Sequence, residues 1–166
     1  NVTKDEAKRI AAKATLLSES QLKDEHDEDS RMPSYCFSAD GLDISVTKKG
    51  GFVSYLLKSR EVKEQKISVK DAQTKARTFM DTLKIGAMVT SYYEISNNII
   101  TINYAYTQND IIVYPDLVKV SVAMDNGEIM GYDARGYLMN HKEREISAPK
   151  YTMEEAAENV SRSEEH

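Results

Sequence analysis

The apolar residues of this chain recur at two periods, one typical of helices and one typical of strands. A helix is predicted over residues 4–17, where the i, i+3, i+4, i+7 spacing of one face is occupied by Ala7, Ile10, Ala11, Ala14 and Leu17. A second helix is predicted over residues 69–83, whose corresponding face carries Ala72, Ala76, Phe79, Met80 and Leu83. Because alanine is small, both faces would allow a helix to lie close to a sheet.

Alternation of apolar and polar residues predicts strands between and after these helices. The predicted strands are 35–39, 42–47 and 52–57 in the first half, and 89–95, 99–107, 111–114, 118–124 and 128–133 in the second. Pro115 is expected to interrupt strand pairing at an edge, since proline lacks a backbone N–H. One apolar and one polar face indicate antiparallel strands with a helix on one side. We therefore predict the α+β class, with a helix packed on a small antiparallel sheet in each half.

One short phrase occurs three times and predicts a helix start each time. The copies are Thr3-Lys-Asp-Glu6-Ala7, Ser68-Val-Lys-Asp71-Ala72 and Thr152-Met-Glu-Glu155-Ala156. In each copy the hydroxyl can accept a hydrogen bond from a backbone N–H of the first turn, and the carboxylate lies near the positive end of the helix dipole. We interpret six residues as structural helix caps: Thr3, Glu6, Ser68, Asp71, Thr152 and Glu155.

The strand hairpins repeat as well. Ile44–Val53 aligns without a gap on Val120–Ile129, and both segments read as strand, glycine turn and strand. The first two helix starts are 65 residues apart and the hairpins 76, and 76 less 65 gives 11 extra residues in the second copy. This pattern predicts a first module over 1–65, a second over 66–146, and the helix of a truncated third over 147–166.

The last hairpin of the second copy resembles that of the PepSY domain family. Val122-Ala-Met-Asp125-Asn-Gly127-Glu128-Ile129-Met-Gly131-Tyr132 closely matches the family's pattern. The first copy departs from it, with Lys48-Lys49 in place of Met124-Asp125 and Tyr55 in place of Gly131. Two such units followed by Tyr151-Thr-Met-Glu-Glu-Ala-Ala157 are similar to the C-terminal region of the YpeB family of bacterial spore-germination proteins.

This resemblance implies a non-catalytic protein of the spore, held at the outer face of the inner spore membrane or in the cortex by an N-terminal helix that this sequence does not include. It also implies a protein partner, a cortex-lytic peptidoglycan hydrolase similar to SleB, which the protein would bind, stabilise and restrain in dormancy. The alternative is a PepSY domain that inhibits a peptidase or contacts peptidoglycan. An enzyme is the weaker third class, and we expect no catalytic residue.

Composition narrows the choice of partners. The chain has 166 residues and a net charge of −5, which argues against nucleic acid as a ligand. No stretch approaches the roughly 20 apolar residues of a membrane span, so a membrane would be reached only through an anchor outside this sequence. Cys36 is the single cysteine and reads as a buried strand residue, so no disulfide within the chain is possible.

One segment has the residue types of a metal site. Asp24, His26, Asp27 and Asp29 lie in a charged connector that precedes Pro33, and carboxylates are ligands that calcium prefers. The segment lacks the glycine and the terminal glutamate of a helix-loop-helix calcium site, and charge runs are usually solvated connectors. We therefore expect neither a metal nor a cofactor. No Gly-x-Ser-x-Gly motif is present either.

The chain has ten tyrosines and no tryptophan, and several tyrosines fall where the second copy is longer than the first. Exposed tyrosines favour protein interfaces or sugar contacts, because the ring gives rigid contact area with a polar tip. The other interpretation is that alternate rings pack under the helix or pair across strands. The predicted partner-binding residues are Tyr92, Tyr93, Tyr104, Tyr106 and Tyr114.

Overall fold

The computed structural model describes residues 1–85 and 88–140, apart from the side chains of residue 108 and residues 113–116. The longer helices are α1 (Lys4–Thr15) and α2 (Val69–Thr82). The strands are β1 (Lys23–Asp24), β2 (Ser34–Ala39), β3 (Leu42–Thr47), β4 (Val53–Lys58), β5 (Met88–Ser96), β6 (Ile99–Gln108), β7 (Ile111–Ala123) and β8 (Ile129–Asp133). Residues 135–140 are also helical. The predicted α+β class is confirmed, and no helix in this part of the chain is long and apolar enough to cross a bilayer.

The eight described strands form one antiparallel sheet in the order β1-β2-β3-β4-β8-β7-β6-β5. The last strand of each half lies near its centre, where β4 pairs with β8 through Tyr55–Asp133, Leu56–Tyr132 and Leu57–Gly131. Leu56 and Tyr132 are 76 residues apart, the offset that aligns the two hairpins, so at this pair the same position of each half faces its counterpart. The halves therefore meet through strand pairing.

Both helices cover the same face of this sheet. Helix α1 packs against β2, β3 and β4, and α2 packs mainly against β6, β7 and β8. Four alanines of the predicted helix faces are each 0 % exposed, which brings the helices close to the strands: Ala7, Ala11, Ala72 and Ala76. One register row of the sheet lies entirely in the shared core and crosses both halves: Ile44, Leu56, Tyr132, Val120 and Ile102. The halves therefore share one hydrophobic core.

Pro115 interrupts strand pairing as predicted, but the two strands predicted on either side of it are one strand. Residues 111–123 form the single strand β7. The register against β6 passes from Ala105–Leu117 to Tyr106–Val113, so residues 114–116 bulge out of the ladder. A proline is tolerated in such a bulge because no ladder hydrogen bond is needed from its nitrogen.

Helix α1 begins with both hydrogen bonds of a capping box. The Glu6 N–H donates to Thr3 Oγ1 at 3.1 Å, and the Thr3 N–H donates to Glu6 Oε1 at 3.1 Å. Helix α2 begins with a single side-chain bond, in which the Asp71 N–H donates to Ser68 Oγ at 3.1 Å.

The third predicted helix start, with Thr152 and Glu155, lies outside the described residues, as does the whole of 147–166. The boundaries 1–65 and 66–146 stay predictions. Strand pairing joins the two segments across that boundary into one sheet.

Thr3→Ala is expected to lower the free energy of unfolding by about 1 kcal/mol, because it removes the acceptor for one N–H of the first turn. Urea unfolding measures the change. Lys4→Ala alters the next exposed residue without touching the capping box, and this control should stay within about 0.5 kcal/mol of the parent. Equal stability of Thr3→Ala and the parent would mean that this end of α1 frays.

Candidate functional site

The outermost strand β5 carries exposed tyrosines. Tyr92 is 53 % exposed and Tyr93 is 47 % exposed. In the described part of the chain, β5 pairs only with β6, so one of its edges has no strand beside it. Tyr93 pairs with Ile102 and lies on the helix-covered face, whereas Tyr92 pairs with Asn103 and lies on the opposite face. Two of the predicted partner-binding residues therefore present rings at this end of the sheet.

The other predicted tyrosines have different surroundings. Tyr104 is 1 % exposed, and the Arg77 guanidinium lies 5.0 Å from its ring centroid. Tyr106 is half-buried, with its ring centroid 5.6 Å from that of Tyr137. The side chain of Tyr114 is outside the described part. Tyr104 thus has the core position that the packing interpretation predicts, and its ring offers no surface to a partner.

The face of the sheet that the helices leave uncovered, called the open face below, is lined by short polar side chains. In β2, Phe37 belongs to the core. Since side chains alternate along a strand, Cys36 and Ser38 face the other way. Ser45 of β3 pairs with Cys36 and lies on the same face. Such small groups leave space above the backbone.

A groove of about 940 Å³ lies over this part of the open face, and we call it the hydroxyl groove. Its floor is formed by β2, β3 and β4. One wall is the segment before β2, with Glu25 and Glu28. The other wall is Tyr55, whose ring is covered by Arg135 with the guanidinium carbon 4.5 Å from the centroid. The volume lies within the range of ligand-binding sites.

The charged segment considered above as a metal site makes ion pairs. Lys8 Nζ lies 2.9 Å from Asp24 Oδ1, and its hydrogen bond lowers the pKa of Asp24. Lys48 Nζ lies 2.9 Å from Asp27 Oδ2 and 3.8 Å from Asp29 Oδ1. Within residues 1–85 and 88–140, no group of three or more His, Cys, Asp and Glu side chains could hold a metal ion. The carboxylates hold this segment against the first half instead.

The turn between β7 and β8 carries a dense set of ion pairs, which we call the clamp. Arg60 donates to both carboxylate oxygens of Asp125 at 2.9 Å and to Glu128 Oε1 at 2.7 Å. Lys58 pairs with Glu128 as well. Gly127 between the two acids has φ of +81°, a conformation that favours glycine. Since Lys58 and Arg60 come from the end of β4 and just beyond it, the clamp ties the first half to the second.

The segment between β4 and α2 is packed onto the second half. Val62 is 5 % exposed and packs with Ala123 and Met130. Its carbonyl accepts a hydrogen bond from Asn98 Nδ2 at 3.0 Å. The N–H groups of residues 66 and 67 both donate to Met124 O, at 2.8 and 3.0 Å. This connection is therefore fixed along its length.

The clamp holds its carboxylates in the charged form. The hydrogen bonds from Arg60 lower the pKa of Asp125 from 3.8 to about 2. Burial raises the pKa of Glu128, but hydrogen bonds from Lys58 and Arg60 outweigh it and lower that pKa overall. A carboxylate with a lowered pKa stabilises the fold above its ordinary pKa, and this stabilisation is lost as the pH falls through the lowered value.

Arg60→Gln is expected to destabilise the protein at pH 7, and the difference from the parent should shrink between pH 4 and pH 2. The reason is that Asp125, with a pKa of about 2 in the clamp, becomes protonated there and no longer needs Arg60. Unfolding midpoints measured at each pH give the result. Lys66→Gln is the matched control, because its ion pair with Glu64 is more than half exposed. A constant difference for Arg60→Gln down to pH 2 would contradict the clamp.

Sequence reasoning missed Arg60 and the groove. Arg60 lies 65 residues before Asp125, and no local pattern connects them. The groove left a partial signal, because Ser34, Cys36 and Ser38 alternate with apolar residues, but Cys36 was predicted to be buried and instead lies half-buried on the open face. The alternation of polar and apolar residues does not indicate which loops border that polar face.

Two helix-on-sheet halves that meet through their last strands, the second with an Asp-Asn-Gly-Glu turn in its last hairpin, define a PepSY-type protein. A family model described as YpeB sporulation, PepSY1 and PepSY2 domains, matches residues 1–147. The chain belongs to this YpeB family.

Individual relatives agree with this assignment. The chain is 36% identical over 124 residues to the sporulation protein YpeB of Bacillus subtilis, a match that covers 72% of this chain and 27% of that protein. It is 34% identical over 118 residues to the sporulation protein YpeB of Halalkalibacterium halodurans, covering 71% and 26%. The solved Bacillus megaterium YpeB C-terminal domain superposes with a TM-score of 0.77 at 26% identity, covering 92% of this chain and 72% of that one. The chain thus spans about a quarter of the length of its curated relatives.

Proposed function

We propose that this chain is a non-catalytic, partner-binding region of a spore-germination protein. Its partner is a cortex-lytic peptidoglycan hydrolase similar to SleB, which it binds, stabilises and restrains in the dormant spore. Membership of the YpeB family supports the role in the spore. The observation that carries the binding role is the pair Tyr92 and Tyr93, consecutive residues of the outermost strand whose rings are each about half exposed, one on either face of the sheet. Tyrosine is among the residues enriched at the centres of protein interfaces.

The proposed location is the outer face of the inner spore membrane or the cortex. The curated relatives are about four times as long as the matched segment, so the remainder of such a protein would supply the membrane anchor. The net charge of −5 supports a protein or cell-wall partner over nucleic acid.

Sedimentation of the purified chain with a purified SleB-type hydrolase at micromolar concentrations tests the proposal. A common boundary is expected, together with slower release of fragments from isolated cortex. Tyr92→Ser and Tyr93→Ser should each weaken binding about tenfold or more, as hot-spot tyrosines do. Phe52→Ser is the matched control, because Phe52 is also about half exposed (49 %) but lies in the β3–β4 turn.

Independent sedimentation with unchanged hydrolase activity would reject direct binding by this chain. Sedimentation with insoluble cortex in the absence of hydrolase would support the peptidoglycan-binding alternative, and slowed cleavage of peptides by a peptidase would support the inhibitor alternative. Release of cortex fragments by the chain alone would contradict its non-catalytic character.

A further inference from the structure

The hydroxyl groove carries acidic side chains that make no ion pair within the described residues. Glu25 and Glu28 line one wall, and Asp43 lines the groove from β3. Glu25 Oε1 accepts a hydrogen bond from Ser38 Oγ at 2.6 Å, which fixes it beside the floor. The neighbouring acids Asp24 and Asp27, in contrast, are paired with lysines. Within the described residues, the acids of the groove are therefore unpaired, whereas the nearby Asp24 and Asp27 are paired.

The cation that lines the groove is already engaged. Arg135 donates to both carboxylate oxygens of Asp133, at 3.0 and 2.8 Å. The hydrogen bonds that Arg135 donates to Asp133 are the main cause that raises the pKa of Arg135, and the charge of Glu28 adds to it from the opposite wall. Since Asp133 balances Arg135, the groove attracts positive charge on the whole.

Two serine hydroxyls under the groove make hydrogen bonds inside the protein. Ser34 Oγ donates to Met32 O at 3.0 Å, and Ser54 Oγ donates to Ser45 O at 3.4 Å. These two hydroxyl hydrogens are thus used inside the protein. Ser34 and Ser54 are each 2 % exposed, so they lie beneath the floor. The exposed acceptors of the groove are the carboxylates of Glu25, Glu28 and Asp43.

The shape suits a single extended chain. The floor spans β2, β3 and β4, which is two strand spacings or about 10 Å. A sugar strand would favour a bare aromatic ring to stack on, but the Arg135 guanidinium already occupies one face of the Tyr55 ring. Acceptors, negative charge and this width together favour a peptide that carries ammonium or guanidinium groups.

We propose that the hydroxyl groove binds an extended, lysine- or arginine-bearing segment of a protein partner. The identification of that partner as the hydrolase rests on the proposed function above. The groove lies over β2 to β4, so it forms a contact separate from the tyrosines of β5 at the other end of the sheet.

Cys36 gives a direct probe of occupancy. It is the single cysteine of the chain, it lines the groove, and its Sγ lies 3.5 Å from Ser45 Oγ. The rate of its alkylation by iodoacetamide, a neutral reagent, is measured alone and with a capped nonapeptide of alternating lysine and serine at about 0.15 M salt. The same peptide with glutamate in place of lysine is the charge control. Chitotetraose tests binding of a glycan, and the purified hydrolase tests binding of the proposed partner. Protection is expected from the lysine peptide and from the hydrolase.

Charge variants separate the groove from the overall charge of the protein. The triple variant Glu25→Gln, Glu28→Gln, Asp43→Asn should weaken binding of the lysine peptide about tenfold, from three partly exposed charge contacts. The triple variant Glu19→Gln, Glu61→Gln, Asp81→Asn removes the same number of charges from exposed positions elsewhere and should leave binding unchanged. All six side chains are exposed, so both variants should melt like the parent.

The outcomes distinguish the two proposals. If the hydrolase forms a complex but Cys36 is alkylated at the same rate, the proposal for the groove is wrong and the proposed function stands. If no complex with the hydrolase forms, the proposed function is wrong. Protection of Cys36 by the lysine peptide then tests whether the groove binds a cationic segment. Equal loss of peptide binding in both triple variants, or protection by chitotetraose but not by the lysine peptide, overturns the inference.

Discussion

Tyr132→Ala is expected to lower the free energy of unfolding by about 3–5 kcal/mol, the range for removal of a large buried aromatic side chain. Tyr132 is 2 % exposed and lies on β8 where the two halves pair, opposite Leu56. Its ring meets that of Phe79 on α2 edge to face, with centroids 5.3 Å apart. The cavity would open between the sheet and α2, beside the strand pairing that joins the halves. Urea unfolding followed by circular dichroism measures the loss.

Tyr132→Phe is the matched control, because it keeps the ring and removes only the hydroxyl. That hydroxyl has no hydrogen-bond partner among the described residues, and burial raises its pKa. Loss of a buried, unsatisfied hydroxyl should stabilise the protein by about 1 kcal/mol. If Tyr132→Phe were as damaging as Tyr132→Ala, the hydroxyl would have a structural role that this packing does not give it.

Val120→Asp is expected to cost more than about 4 kcal/mol and to prevent folding at 37 °C. Val120 is 0 % exposed at the centre of β7, between Ile102 on one side and Tyr132 on the other. A carboxylate there would be desolvated under α2 without a cation to pair with. The soluble yield and the circular dichroism spectrum report the result.

Lys119→Asn is the control for this position. Lys119 is the preceding residue of β7 and is exposed. Because neighbouring residues of a strand face opposite sides, the change should stay within about 0.5 kcal/mol of the parent. A folded Val120→Asp together with an unfolded Lys119→Asn would mean that the faces of β7 are reversed.

The elements themselves were largely readable from the sequence. The predicted strand 42–47 matches β3, and the predicted helix 69–83 differs from α2 by a single residue at its end. Local periodicity and capping fix such features, because they depend on residues a few positions apart. The pairing of β4 with β8 was not predicted, since alternation shows which face of a strand is buried but not which strand lies beside it.

The contact surfaces were predictable only in part. Tyr92 and Tyr93 were chosen by residue type and have exposed rings, whereas Tyr104 was chosen by the same rule and lies in the core. The difference follows the position of α2, which packs on β6, β7 and β8 and reaches β5 at Met88, whose carbonyl accepts a hydrogen bond from Arg77. Tyr92 and Tyr93 lie further along β5 and stay exposed. The position of a helix over a sheet is a tertiary property that the spacing of tyrosines does not encode.

The unbroken sheet fixes the distance between its ends. From β3 in the floor of the groove to β5 there are five strand spacings, or about 24 Å, all bridged by backbone hydrogen bonds. Two binding sites joined by a flexible linker lose conformational entropy when the second contact forms. In a single sheet, the relative position of the two sites is already fixed by folding. Under the two proposals above, a single partner that contacts both the hydroxyl groove and the tyrosines of β5 would have to match that length.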